Sequence, residues 1–185
     1  MKRDARQILT ELLVLNAQGG DAAAFGQLHD LWQADLKRLA VGRVERADAA
    51  AEVAQDAWVT IARSLRRLDD PACFPRWAFR ILERRCADWI RRRQTERRHA
   101  AELAAIGETN TAPSVLPPPS EEVLVLREAI TQLEGDARHL LKLFYETGLS
   151  VNEIAEVLGV PVGTVKSRLF HTREALKRQL ERMKS

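Results

Sequence analysis

Apolar residues recur every three or four positions along most of the chain, the spacing that lines one face of an α-helix. Residues 7–16 carry Ile8, Leu12 and Leu15 in such a stripe. Asp21 is placed to cap a second helix through Ala24, Phe25, Leu28, Leu31, Trp32, Leu36, Leu39 and Ala40. Asp48 opens a third, carried by Val53, Ala57, Trp58, Ile61 and Leu65, and the Asp69-Asp70-Pro71 cluster breaks it. After a short loop to Pro75, a fourth runs from about Arg76 to Arg98 with Trp77, Ile81, Cys86, Trp89 and Ile90 apolar. No segment alternates at period two, so essentially no sheet is predicted.

The pattern dissolves between His99 and Ser120, where Pro113 and Pro117-Pro118-Pro119 exclude helix and favour polyproline II. This predicts an all-α fold of two small helical domains, 1–98 and 121–185, joined by a flexible, acidic, proline-bearing linker at 99–120. The second domain has room for no more than four short helices.

Its most informative stretch is Ser150 to Arg178. Ser150 with Glu153 three residues later reads as a capping box, starting a helix with Ile154, Ala155 and Leu158. Gly159 supplies a tight turn, and Pro161 sits where a second helix would begin, its missing N–H costing nothing there. Ala155, Gly159 and Val165 fit a helix-turn-helix: small at the crossing, glycine at the turn, apolar inside. Val165, Leu169, Leu176, Leu180 and Met183 form the predicted buried stripe of the second helix. Thr164, Lys166, Ser167, Arg168, His171 and Arg173 lie on or beside its other face, the residue types that reach base edges and phosphates in a major groove.

Composition adds a segregated charge. The net value is only +3 over 185 residues. Residues 80–98, however, hold arginines 80, 84, 85, 91, 92, 93, 97 and 98 against Glu83, Asp88 and Glu96. Residues 99–126 contain four glutamates and no Lys or Arg. The arginine block suits a polyanion. Phe74, Trp77 and Trp89 could stack on bases, although their helical spacing favours the core, and Asp88 is placed to pair with Arg84, Arg91 or Arg92. No apolar run is long enough for a bilayer, and Met1 to Thr10 lacks the apolar core of a secretion signal, so a cytoplasmic protein without membrane insertion is expected. Cys73 and Cys86 show no metal-ligand spacing and read as ordinary thiols. The four histidines are scattered, and no P-loop, dinucleotide turn or activated nucleophile motif occurs, so neither an enzyme nor a cofactor is expected.

On these residues the chain resembles a known family. LSVNEIAEVLGVPVGTVKSRLFHTREALKRQL (149–180) looks like region 4.2 of the extracytoplasmic-function (ECF) RNA polymerase sigma factors. GDAAAFGQLHDLW resembles region 2.1, AAEVAQDAWVTIARSL (50–65) region 2.2, and FPRWAFRILERRCADWIRRR (74–93) regions 2.3 and 2.4. The resemblance implies a sigma factor that binds core polymerase, recognises −35 and −10 promoter elements and helps to melt DNA. Glu52, Gln55 and Asp56 fall on the positions that grip a basic coiled coil of the β′ subunit. Arg76, Arg80, Arg84, Arg91 and Arg92 would meet the −10 element, with the loop Asp69 to Pro75 as a pocket for a flipped base. Thr164, Lys166, Ser167, Arg168, His171 and Arg173 would read the −35 duplex, while Val123 to Gly148 packs on the β flap. The linker would thread towards the polymerase cleft, and an anti-sigma protein is a further partner the resemblance leaves open. One departure stands out: where the family carries a dense Asp-Ala-Glu-Asp run, this chain has Ala49, Ala50, Ala51 and Glu52. A stand-alone helix-turn-helix regulator would account for 149–180 but leaves the acidic helix, the arginine helix and the linker unexplained.

Overall fold

The computed structural model describes residues 4–101 and 121–183, so most of the 99–120 stretch lies outside the described residues. The described residues form eight α-helices and two 3₁₀ turns, with no strand. The chain divides into two units, Met1–Thr109 and Asn110–Ser185.

In the first unit, α1 (Ala5–Gln18), α2 (Ala22–Val44), α3 (Ala47–Ser64) and α4 (Phe74–Ala101) pack on one another, with 3₁₀ turns at Leu65–Arg67 and Pro71–Cys73. Asp21 caps α2 by accepting from the N–H groups of Ala23 at 2.8 Å and Ala24 at 3.1 Å. Helix α3 begins one residue before Asp48, with Arg46 at its N-cap position. Pro75, expected in a loop, lies in the first turn of α4, where a missing N–H leaves no helical bond unmade. Helix α4 also continues three residues beyond Arg98.

The core gathers Leu28, Leu36 and Ala40 of α2, Val53, Ala57 and Ile61 of α3, and Phe74, Ala78, Phe79, Leu82 and Cys86 of α4. Trp32 meets Phe74 and Phe79 edge-on at 6.1 and 6.0 Å. Its Nε1–H donates to the buried Thr10 hydroxyl at 3.0 Å, and the Arg6 guanidinium covers its ring at 4.1 Å, so α1 is tied to α2. The side of α1 that packs inward is Thr10, Leu13 and Val14. The stripe read from the sequence points the other way: Ile8, Leu12 and Leu15 are 54%, 53% and 55% exposed. Of the aromatic residues of α4, Phe74 is core while Trp77 and Trp89 are half-buried. Burial pushes the Cys86 thiol well above its ordinary pKa.

In the second unit, α5 (Glu121–Thr131), α6 (Gly135–Tyr145) and α7 (Val151–Leu158) pack against α8 (Val162–Met183) or one another. Ala129, Leu140, Leu143, Ile154, Val157, Val165 and Leu169 fill the interior. Along α8, Thr172 joins the buried stripe, whereas Leu176, Leu180 and Met183 are half-buried near the end of the helix.

Candidate nucleic-acid interface

The helix-turn-helix is built by local chemistry. Ser150 and Glu153 form the reciprocal capping box: the Ser150 hydroxyl accepts from the Glu153 N–H at 3.3 Å, and Glu153 accepts from the Ser150 N–H at 2.8 Å. Gly159 ends α7 at φ 66°, a left-handed conformation that favours glycine. Pro161 stands just before α8, and its carbonyl accepts from the N–H groups of Thr164 and Val165 at 2.9 and 3.2 Å. Proline therefore occupies the cap position rather than the first helical one.

With the buried stripe of α8 facing inward, the polar residues divide between two flanks. Arg168 and His171 line a groove of about 520 Å³ against Gln132 and Glu134 of the α5–α6 turn and Asp136 of α6. Arg173, five positions beyond Arg168 and so roughly 140° around the helix, is held on the other flank. Its Nε–H donates to the Tyr145 hydroxyl at 3.1 Å, and its guanidinium lies 5.1 Å from the Phe144 ring and 5.7 Å from that of Tyr145. Lys166 and Ser167 are exposed in the first turns, Ser167 donating to the Thr164 carbonyl at 3.1 Å, and Thr164 is half-buried. Phe170, 60% exposed, stands beside His171 at 5.5 Å and was not singled out from the sequence. Its signal was an apolar residue on the polar side of the stripe.

In the first unit, α4 places Arg80, Arg84 and Arg91 on its outward face, all exposed, with Trp77 half-buried among them. Arg92 is exposed on the flank. Asp88 pairs with Arg91 at 2.6 Å. Arg76 is half-buried and turned towards the preceding loop, donating to the Cys73 sulfur at 2.8 Å. Arg85 faces α3 and donates to the Thr60 hydroxyl at 2.8 Å.

The acidic face lies on α3. Glu52, Gln55 and Asp56 are all exposed, and Val59, 44% exposed, continues their strip by a turn. Ala49 and Ala50 are buried at 5% and 0%, so carboxylates at those two positions would sit in the core. Only Ala51 is exposed among the three alanines. Asp48 begins the same strip one turn before Glu52 and pairs with Arg46, whose guanidinium holds the carboxyl below its usual range.

A helix-turn-helix unit, in one chain with a unit that bears separate basic and acidic helices, is the make-up of a DNA-binding protein. Comparison with known proteins places it. The ECF sigma factor family model matches residues 6–182. The ECF RNA polymerase sigma factor SigW of Bacillus subtilis is 30% identical over 94% of this chain and 98% of that protein. The RNA polymerase sigma-H factor of Pseudomonas aeruginosa is 33% identical over 91% and 92%. Among solved structures, CnrH in complex with the cytosolic domain of CnrY is 25% identical with a TM-score of 0.64, covering 94% of this chain and 97% of CnrH. The sigma factor RpoE in complex with the anti-sigma factor NepR, from Bartonella quintana, shares the fold at 22% identity and a TM-score of 0.72, covering 85% and 96%.

The chain belongs to the ECF sigma factor family. It is a sigma factor, directing promoter-specific transcription initiation by RNA polymerase.

Proposed function

We propose that the labour of initiation is divided among three faces of this chain, which performs no chemistry itself and leaves catalysis to the polymerase. The α3 strip of Glu52, Gln55 and Asp56, extended by Asp48, docks on a basic coiled coil of the β′ subunit. Charge complementarity there sets register and encounter rate more than affinity. The α4 face of Arg80, Arg84 and Arg91, flanked by Arg92 and with Arg76 at the loop, holds the −10 strand as it melts. The α8 face of Lys166, Ser167, Arg168, Phe170 and His171 reads the −35 duplex, and residues 123–148 pack on the β flap. Arg173 braces α8 against α6.

One observation carries this reading: opposite charges stand exposed on different helices of one unit, which suits a protein that meets a basic protein surface and a polyanion at once. Regions 1–98 and 121–185 then act as the core- and −10-binding and the −35-binding domains, with 99–120 as their linker. No described helix is long and apolar enough to cross a membrane, and work on the chromosome puts the protein in the cytoplasm. The anti-sigma factor NepR, bound to RpoE in its complex, makes an inhibitor of that class a fitting third partner.

The test separates the faces. Asp56→Lys is expected to impair holoenzyme formation while leaving duplex binding by the free chain intact, and Arg168→Ala to do the reverse. If either variant lost both activities while folded, the division would fail.

A further inference from the structure

Arg63, Arg66 and Arg67 stand outside the faces described above, at the end of α3 and on the 3₁₀ turn that follows. All three are exposed, and among the described residues none forms an ion pair or a side-chain hydrogen bond. The turn bearing Arg66 and Arg67 is fixed at both ends. The Gln18 carboxamide of α1 donates to the carbonyl of Leu65 at 2.9 Å and to that of Leu68 at 2.7 Å. Leu65 and Leu68 are themselves buried, and the Leu68 N–H closes the turn on the Leu65 carbonyl at 3.0 Å. With both ends anchored inward, the two side chains between them project outward from a rigid base.

Arg66 reaches over the Gly19–Gly20 turn, its Nη2 lying 3.9 Å from where a Cβ on Gly20 would be. Gly20, at φ 101°, follows a backbone path that a side chain would strain. The second 3₁₀ turn, Pro71–Cys73, packs on α1 as the first does, and it leads directly into α4. Of the neighbouring carboxylates, Asp70 accepts from the Ala72 N–H at 3.0 Å and the Cys73 thiol at 3.1 Å, so it is engaged within its own turn. Asp69 is exposed and cannot offset three guanidinium groups.

We propose that Arg66 and Arg67, presented by the Gln18-clamped turn, form a second phosphate-binding patch that grips the nucleic-acid backbone beside the α4 face, with Arg63 extending it along α3. This rests on the reading of α4 as a DNA face. Guanidinium groups suit phosphodiester oxygens, and a pair held outward in advance loses less freedom on binding than one on a mobile loop. Gln18 is a positioning residue in this arrangement. An acidic protein surface is the competing occupant, and the position of the turn, joined to the arginine-bearing helix through the short Pro71–Cys73 turn, favours nucleic acid.

The experiment follows binding of the full-length chain to a fluorescein-labelled single-stranded DNA of mixed sequence across a range of salt, with core polymerase affinity measured in parallel. Each phosphate contact contributes about 0.7 to the slope of log affinity against log salt on single strands, so Arg66→Ala/Arg67→Ala is expected to reduce the slope by about 1.4. Arg66→Lys/Arg67→Lys should restore it, Gln18→Ala should weaken binding severalfold with the fold intact by circular dichroism, and core affinity should not change. An unchanged slope in the double alanine variant, where Arg80→Ala/Arg84→Ala lowers it, overturns the patch and spares the α4 reading. No change in either variant overturns both. Loss of core affinity with the slope unchanged assigns the patch to the polymerase and overturns the nucleic-acid proposal.

Discussion

Arg168 and Arg173 look equivalent along the sequence of α8 and should behave oppositely when truncated. Arg173 gives up a hydrogen bond to the Tyr145 hydroxyl and two aromatic contacts. At an exposed site the ring contacts together amount to about 0.5–1 kcal/mol, and the hydrogen bond from the solvent-screened guanidinium adds about 0.5–1.5 kcal/mol. Arg173→Ala should therefore destabilise the second unit by roughly 1–2.5 kcal/mol, a drop of at least several degrees in its melting temperature for a domain of about this size. Its preference among duplex sequences should persist. Tyr145→Phe, which removes only the hydroxyl, should reproduce the hydrogen-bond part of that loss and no more. Arg168→Ala lacks such partners and should barely change stability. If Arg168 makes a base-edge contact, its removal weakens binding to the cognate −35 duplex by about 1–3 kcal/mol, or roughly 5- to 150-fold, and relaxes selectivity at one position. Urea denaturation and fluorescence anisotropy on a panel of single-base duplex variants measure both quantities. A changed base preference in Arg173→Ala with unchanged stability would refute the bracing assignment.

Three other perturbations probe different parts of the chain. Ser150→Ala removes the N-cap of an eight-residue helix and should cost about 0.5–2 kcal/mol in unit-two stability, with Ser150→Thr largely preserving it, as read by thermal unfolding. Phe79→Ala empties a fully buried site against Trp32 and should destabilise the first unit by about 3–5 kcal/mol in chemical denaturation, an effect expected to abolish holoenzyme formation. The Cys86 thiol stays protonated in the folded state while the unfolded thiol ionises as pH rises through its ordinary pKa. Folded stability should therefore decline above about pH 8.5, by up to about 1.4 kcal/mol per unit, and Cys86→Ala should abolish that part of the slope. An identical slope in both proteins would assign it to other groups.

What could be read from the sequence was what is local. The capping box, the glycine turn and the first half of the α8 stripe lie within a few residues of one another, and their chemistry determines their conformation without distant help. Asp21 and the pairing of Asp88 belong to the same kind. Periodicity, by contrast, identifies an apolar face without saying whether anything covers it. In α1 Ile8, Leu12 and Leu15 point outward, while Thr10, Leu13 and Val14 pack inward, the Trp32 indole N–H donating to the threonine. The position of Arg173 depends on Tyr145, 28 residues earlier, and no pattern within α8 contains that contact. The alanines before Glu52 read as a thinned acidic run, yet two of them are core residues, which only the packing of α3 reveals.

The central claim is that one chain joins core polymerase to promoter DNA through separate faces. Run-off transcription with purified core polymerase on fragmented genomic DNA tests it most directly, comparing the unaltered chain with Asp56→Lys and Arg168→Ala. The unaltered chain should yield discrete transcripts whose upstream regions share paired −35 and −10 elements. Asp56→Lys should lose all of them through failure to form holoenzyme, and Arg168→Ala should lose them while still binding core. Full activity of both variants, or no transcripts beyond those of core alone, would contradict the account.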